Sequence, residues 1–311
     1  MSKNREKHFE KGTVIRRCRE DRIFDAVIFV ILTLILLIVA YPLYWVIISS
    51  FSDPTAVSAG EVIWKPIGFT LKGYAEVFND DSVMRGFFNA LIITFSGVLV
   101  NLAVTMPTAY ALSRDKFSGK KIVTAFYMVT MFFSGGLIPT YLVIRNLHML
   151  DTYWALILPG CLGVYNMIVA HTFFKSNISE ELYEAAEIDG CTQGQFFFKI
   201  ALPLSGAITA ILVLYYGVGH WNSYFSALIY ISDPDKYPLQ LVLRNILITN
   251  EAALSQAATS AAAREALREK QQLIDVMKYS LIIISSVPVL VLYPFIQKHF
   301  VKGVMIGSVK G

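Results

Sequence analysis

Charge is what this chain has least of, and it is missing in long blocks. Asp, Glu, Lys and Arg together make 16% of the 311 residues, against about 25% in a soluble globular domain. Hydrophobic residues make 55% and mean hydropathy is +0.54, a balance that excludes a soluble globular chain. Six runs carry no charged residue at all: 26–52, 86–113, 122–144, 152–174, 200–232 and 279–297. Each approaches or exceeds the roughly 20 residues a helix needs to cross a bilayer. The expected class is an all-α membrane protein with six transmembrane helices.

Other absences narrow the function. The only cysteines, Cys18, Cys161 and Cys191, fall in a basic leader, inside a run and in a loop, which excludes a disulfide framework and a CxxC metal site. The runs hold no Asp, Glu, Lys or Arg, and their only histidines are His171 and His220; proton-coupled carriers usually need ionisable groups in the membrane, where they are expensive. No GxxxxGK[ST] phosphate loop is present. Gly119-Lys120-Lys121 lacks both the upstream glycine and the hydroxyl that would hold magnesium. Any ATP chemistry must therefore belong to another chain, and with no Ser-His-Asp, HExxH or paired-carboxylate arrangement the chain is expected to be no enzyme, with no catalytic or metal residues.

Of the 27 Lys and Arg residues, 17 lie in segments 1–25, 114–121, 175–199 and 298–311, and 10 in the alternate loops. Positive residues collect on the cytoplasmic side, so both termini are expected to be cytoplasmic. The net charge of +4 follows from that asymmetry; anionic membrane lipid suffices as its counterpart, and no nucleic-acid partner is implied. The first run follows the basic stretch SKNREKHFEKGTVIRRCREDR and exceeds the length of a secretory signal core, so it is expected to be an uncleaved anchor. Pro42, Pro107, Pro139, Pro159, Pro203, Pro288 and Pro294 lie in or at the ends of the runs, where a helix bundle tolerates kinks.

What is present stands out against this background in LYEAAEIDGCTQGQFFFKIALPLS, Leu182–Ser205. Segment 175–199 carries Glu180, Glu181, Glu184, Glu187 and Asp189 against Lys175 and Lys199. Ser179 or Asn177 can cap a short helix, Glu180 and Glu181 suit its positive N-terminal end, and Gly190 suits a left-handed C′ position, so a helix is expected over 179–189. Leu182, Ala185, Ala186 and Asp189 recur three or four apart and form a small, mildly apolar face that another protein can approach closely. Thr192 and Gln195 form a T-x-x-Q capping box opening a second helix into the fifth run. The expectation is a rigid lever bent at Gly190, through which a partner moves the fifth span. A solvated juxtamembrane helix is the plainer alternative.

Glu184-Ala185-Ala186, three residues, then Gly190, with Phe197, Leu202 and Pro203 following, resembles the EAA loop of binding-protein-dependent ABC importers. From about Phe24 to Gly311 the chain is similar to the second permease of maltose-type carbohydrate importers, in the complex-oligosaccharide branch. YPLYWVIISSF, GFTLKGYAEVF, FFNALIIT, TAYALSR, HWNSYF, YPLQLVLRNIL and YPFIQKHFVKGVMIGSVKG carry the likeness. It implies a type I ABC importer permease (MetI-like) fold over 23–311, with a cytoplasmic coupling loop at 176–199 and an extracellular loop at 233–278; the basic leader at 1–22, expected to be cytoplasmic, falls outside the likeness. It also implies a second permease subunit, two copies of an ATPase subunit that bind ATP and Mg, an extracellular solute-binding lipoprotein and a bacterial plasma-membrane location; no cofactor belongs to this chain. Glu184, Ala185, Ala186, Asp189 and Gly190 take the ATPase-coupling role in that likeness. GSVKG, Gly307–Gly311, resembles a family tail that runs toward the ATPase pair. Two departures are Cys191, where alanine is usual, and the helix-forming stretch Ala258–Lys278, read as a solvated extracellular helix or a contact for the binding protein.

Sugar sites pair aromatic faces with amides and hydroxyls. Trp221, Asn222, Tyr224 and Phe225 are the candidate pathway residues on that ground, although Trp and Tyr also collect at membrane interfaces without a ligand. Asn89, Asn101 and Asn166 either face a pathway or bond between helices. The expected function is the permease subunit of an ATP-driven carbohydrate importer; the alternative is an ATP-independent carrier or channel.

Overall fold

The structure, a computed structural model, describes residues 19–254, 274 and 277–294. Among these every regular element is helical. The first is α1 (Arg19–Ser50), whose apolar window buries none of its residues within this chain. Short helices α2 (Pro54–Ser58) and α3 (Lys72–Asn79) lead into α4 (Asp81–Ser113). This long helix starts five residues ahead of the charge-free run at 86. Asp80 explains the early start: its Oδ1 accepts from Ser82 N at 2.8 Å and Val83 N at 3.3 Å, satisfying two free donors of the first turn.

Beyond α4 the expectation of one continuous helix per run gives way to broken helices. Run 122–144 divides into α5 (Lys120–Phe132) and α6 (Leu137–Asn146), which meet at 116°. Gly135 and Gly136 sit at that break, and Gly136 takes φ 86°, a conformation a side chain resists. Run 152–174 divides into α7 (Trp154–Ile157), a 3₁₀ turn at Leu158–Gly160 and α8 (Val164–Asn177), with a 51° bend. Then come α9 (Glu180–Ile188), α10 (Gln193–Phe196), a π-helical turn at Phe197–Ala201, α11 (Leu202–Leu204) and α12 (Gly206–Trp221). The axis turns by 79° at Ser205. The remaining helices are α13 (Tyr224–Tyr230), α14 (Leu239–Leu254) and α15 (Met277–Pro294). Among the described residues three helices are long and apolar enough to cross a membrane unbroken, and up to six spans result if each bent pair counts as one.

Helix α4 is the centre of the fold and packs against α8, α12 and α14. One core cluster gathers Met106, Tyr110, Phe174, Tyr183, Phe196, Leu212 and Tyr216, tying the lower end of α4 to the acidic helix α9. A second gathers Ile93, Ile157, Tyr230 and Leu241 around the other end. Segment 233–278, expected as a loop, contributes to the core: Leu239, Leu241 and Val242 are buried, and α14 lies so close to α4 that a Cβ at Gly86 would stand 2.9 Å from Val242 Cγ2 and 3.3 Å from Leu239 Cα. Most of Ala258–Lys278 lies outside the described residues, as do the basic leader to residue 18 and the GSVKG tail.

Polar side chains hold the broken fourth run in place. Asn101 Nδ2 donates to Gly160 O at 2.9 Å. With Nδ2 so used, Asn101 Oδ1 faces His220 Nε2 at 2.9 Å, and the proton sits on Nε2. Tyr216 and Thr105 hydroxyls meet at 2.7 Å, and Gly163 N donates to the same Tyr216 oxygen at 3.2 Å. Backbone groups freed by the break are thereby satisfied inside the bundle, the condition for irregular backbone at membrane depth.

Candidate functional site

The acidic segment folds as its local chemistry dictates. Ser179 caps α9 through a bond from Leu182 N to its Oγ at 3.4 Å, and Glu180 and Glu181 occupy the first turn. Gly190 adopts φ 78°, ending the helix in the left-handed conformation. Thr192 and Gln195 form the reciprocal capping box, with Thr192 N to Gln195 Oε1 at 3.0 Å and Gln195 N to Thr192 Oγ1 at 3.3 Å. Cys191, the departure from alanine, is half-buried against the core.

The face that α9 offers differs from the one expected. Ala186 turns inward, 8% exposed, beside the buried Tyr183. The two lie three residues apart, so they share the inner stripe, and Tyr183 is the larger anchor. The outer surface is formed by Glu181, Leu182, Glu184, Ala185, Ile188, Asp189 and Gly190. Ile188 is 87% exposed; a β-branched apolar side chain at the tip of a charged helix is a feature the small-face pattern missed. Position 188 lies three beyond Ala185, at the edge of the face drawn through Leu182, Ala185, Ala186 and Asp189, and was left out of it.

Two basic residues at the end of α4 fasten the inner stripe. Arg114 Nη1 meets Glu180 Oε2 at 3.2 Å and Nη2 donates to Ile178 O at 3.2 Å. Its guanidinium carbon lies 5.2 Å from the Tyr110 ring centroid and 5.8 Å from that of Tyr183, within cation–π range. Lys116 Nζ donates to Glu187 Oε2 at 2.7 Å and lies 5.2 Å from the Tyr183 ring. The Glu187 carboxylate raises the Lys116 pKa above its ordinary value. Tyr183 in turn packs edge-on against Phe196 at 5.2 Å. A tyrosine three residues after Glu180, and an arginine directly after a charge-free run, were the visible signals for this cluster.

The lever expected to reach the fifth span is interrupted. Pro203 lacks an N–H and disfavours an unbroken α-ladder, and the chain accommodates it with the π turn before it and the 79° bend after it. Ser205 Oγ donates to Ala201 O at 2.5 Å across this corner.

At the other end of the bundle the four candidate pathway residues separate. Trp221 is 3% exposed, donates Nε1 to Ser285 O at 2.8 Å and packs edge-on against Phe87 at 5.8 Å. Its faces are taken up by helix packing, which removes it from the surface this chain offers a sugar. Asn222, Tyr224 and Phe225 are exposed, the two rings 6.4 Å apart and nearly perpendicular. Asn89 and Asn101 bond between elements: Asn89 Nδ2 donates to Asp235 O and Tyr237 O at 2.8 and 3.1 Å, and Tyr153 donates to its Oδ1 at 2.9 Å.

No family model matches the chain. Individual proteins do. It is 39% identical over 293 residues to protein LplC of Bacillus subtilis, covering 94% of this chain and 97% of that one. It is 37% identical over 295 residues to the polygalacturonan/rhamnogalacturonan transport system permease protein YtcP of the same organism, covering 94% and 100%. Its fold superposes on a chain in the crystal structure of a bacterial ABC transporter involved in the import of the acidic polysaccharide alginate. That match has a TM-score of 0.81 at 29% identity and covers 91% of this chain and 98% of the other.

Proposed function

Because this chain belongs to the permease subunits of carbohydrate ABC transport systems, we propose that it spans the plasma membrane six times with both termini cytoplasmic and takes its driving force at α9. In this arrangement the three unbroken helices and three bent pairs are the spans. A second permease completes the pathway, two ATPase subunits bind ATP and Mg beneath it, and an extracellular solute-binding lipoprotein delivers an oligosaccharide. Docking falls to the outer surface of α9. Glu184 and Asp189 present charge to a basic partner residue, Ala185 and Gly190 permit close approach, and Ala186 acts from behind by seating the helix on the core.

The observation that carries this reading is the two-sidedness of α9. Its inner stripe is locked into the core by Tyr183 and Ala186 while its acidic outer surface is left clear. A merely solvated helix needs no such anchor. The importer moves substrate by alternating access when ATPase closure shifts α9 relative to the partner permease. For the sugar, Asn222, Tyr224 and Phe225 form the contact this chain contributes, with rings for C–H faces and the amide for a hydroxyl. The YtcP name and the alginate importer both concern polysaccharides, which supports an oligosaccharide as cargo.

The test is Glu184→Lys in the assembled complex. Purified complex of normal subunit composition is expected to lose ATP-driven uptake and retain the binding of its solute-binding protein. Undiminished uptake coupled to ATP hydrolysis would remove α9 from the docking role.

A further inference from the structure

The geometry at the inner end of α4 carries more than a docking helix. Arg114 is 9% exposed and stands at the C-terminal boundary of α4. One guanidinium reaches the Glu180 carboxylate and the Ile178 carbonyl, the two chain positions flanking the start of α9, and lies against the Tyr110 and Tyr183 rings. Tyr110 belongs to α4 and Tyr183 to α9, so the cation sits between an aromatic from each helix. Phe197 of the π turn also packs on Tyr110, 5.0 Å between centroids. Lys116 adds a second tie from the same connection, to Glu187 about two turns further along α9. By contrast, the covalent route from α9 toward α12 passes through the Gly190 turn, the π turn and the 79° bend at Ser205.

We infer that Arg114 is a positioning residue that latches α9 to α4, so that the docking helix and the second span move as one body and the push from the ATPase enters the bundle through α4. The inference rests on the docking reading of α9. Its physical basis is stiffness. Arg114 makes two hydrogen bonds and two ring contacts from a buried position, and a planar fork so held loses little further freedom on engaging its partners. The peptide route to α12 is the longer one, through a left-handed glycine, a π turn and a 79° corner, whereas the Arg114 contacts join α9 to α4 directly. Since α4 also packs on α8, α12 and α14, a displacement delivered to α4 reaches all three.

The test uses the assembled complex with nitroxide labels at Ile188→Cys, on the outer surface of α9 but outside the residues assigned to docking, and Leu99→Cys on α4, both exposed positions, in a background where Cys18, Cys161 and Cys191 are alanine. Label mobility at 188 is compared with and without the ATPase subunits, and the 188–99 distance distribution is measured without nucleotide and with ATP. The expected result is loss of mobility at 188 on ATPase binding and a 188–99 distance that stays the same in both nucleotide states. Arg114→Gln is expected to broaden the distribution at least twofold with complex yield unchanged, and Arg114→Lys to restore part of its narrowness. Glu180→Gln, which removes the same pair from its exposed side, is expected to broaden it if Arg114→Gln fails to assemble. A 188–99 distance that shifts with nucleotide while the latch is intact overturns the inference, as does a distribution unmoved in the variants that assemble; both leave docking standing. A label at 188 that stays mobile beside the ATPase overturns the docking reading, and the latch falls with it.

Discussion

A methyl group added at Gly97 would lie 2.5 Å from Nε2 of His220, and His220 cannot simply swing aside because that nitrogen is bonded to Asn101. Gly97→Ala is therefore expected to part α4 from α12 and to destabilise the folded chain by about 1–3 kcal/mol, the usual range for overpacking; thermal unfolding of the detergent-solubilised protein reads it. Gly190 is the opposite case. A Cβ there meets nothing within 4 Å, but φ is 78°, so Gly190→Ala is expected to lose only the conformational difference of about 1–2 kcal/mol. Asparagine at the same position should recover part of it. The sequence showed Gly190, since a glycine after a capped acidic helix has one obvious use. It did not show Gly97, because nothing in a run of apolar residues says which one faces another helix at close range. The inward turn of Ala186 was hidden for a related reason: Ala185 and Ala186 are chemically identical, and only Tyr183 three residues earlier decides which of them joins the core.

At the scale of elements, the apolar helices were legible in the charge-free runs and their breaks were not. Glycines at 135 and 136 and prolines at 159 and 203 are common in membrane helices, so composition could not separate a tolerated kink from the observed bends of 116°, 51° and 79°. What decides is whether a neighbour satisfies the freed backbone, as Asn101 does for Gly160 O. Asn101→Ala should leave that carbonyl and the His220 nitrogen unpaired and destabilise the bundle by about 1–2 kcal/mol, the upper part of the range for hydrogen bonds between membrane helices; chemical unfolding in detergent checks it. Outside the spans, Asp151 ties the α6–α7 turn to the α13–α14 connection. Its carboxylate accepts from Asp233 N at 3.0 Å, Ser232 N at 3.1 Å and Lys236 Nζ at 3.0 Å. The backbone bond from Asp233 and then the Lys236 ammonium lower the Asp151 pKa, and the Asp151 carboxylate raises that of Lys236. A depressed carboxyl pKa adds stability above the unfolded value of about 3.9, lost as pH falls through the folded value; a raised lysine pKa adds stability below about 10.4, lost as pH rises through the folded value. The tie should hold across the whole interval between those limits. Melting temperature against pH should fall on the acid limb, and Asp151→Asn should flatten that limb.

For the whole molecule, scarcity of charge established the membrane class, and one acidic loop pointed to the machinery. Neither could show that Leu239, Leu241 and Val242, in a segment bounded by charge, are buried in the core beside α4, because burial of a short apolar helix depends on tertiary partners rather than on its own length. Nor could they show that Trp221 serves packing while Tyr224 and Phe225 stay exposed; all three are aromatic and lie within five positions. The central claim is that this chain moves carbohydrate only within an ATP-driven assembly. The direct measurement is uptake of a panel of neutral and uronic-acid oligosaccharides into vesicles. The chain is reconstituted either alone with an ion gradient, or with its second permease, ATPase pair and solute-binding protein and ATP. Uptake of at least one oligosaccharide by the full assembly with ATP, and none by the chain alone, is the expected result. Transport by the isolated chain on an ion gradient would contradict it.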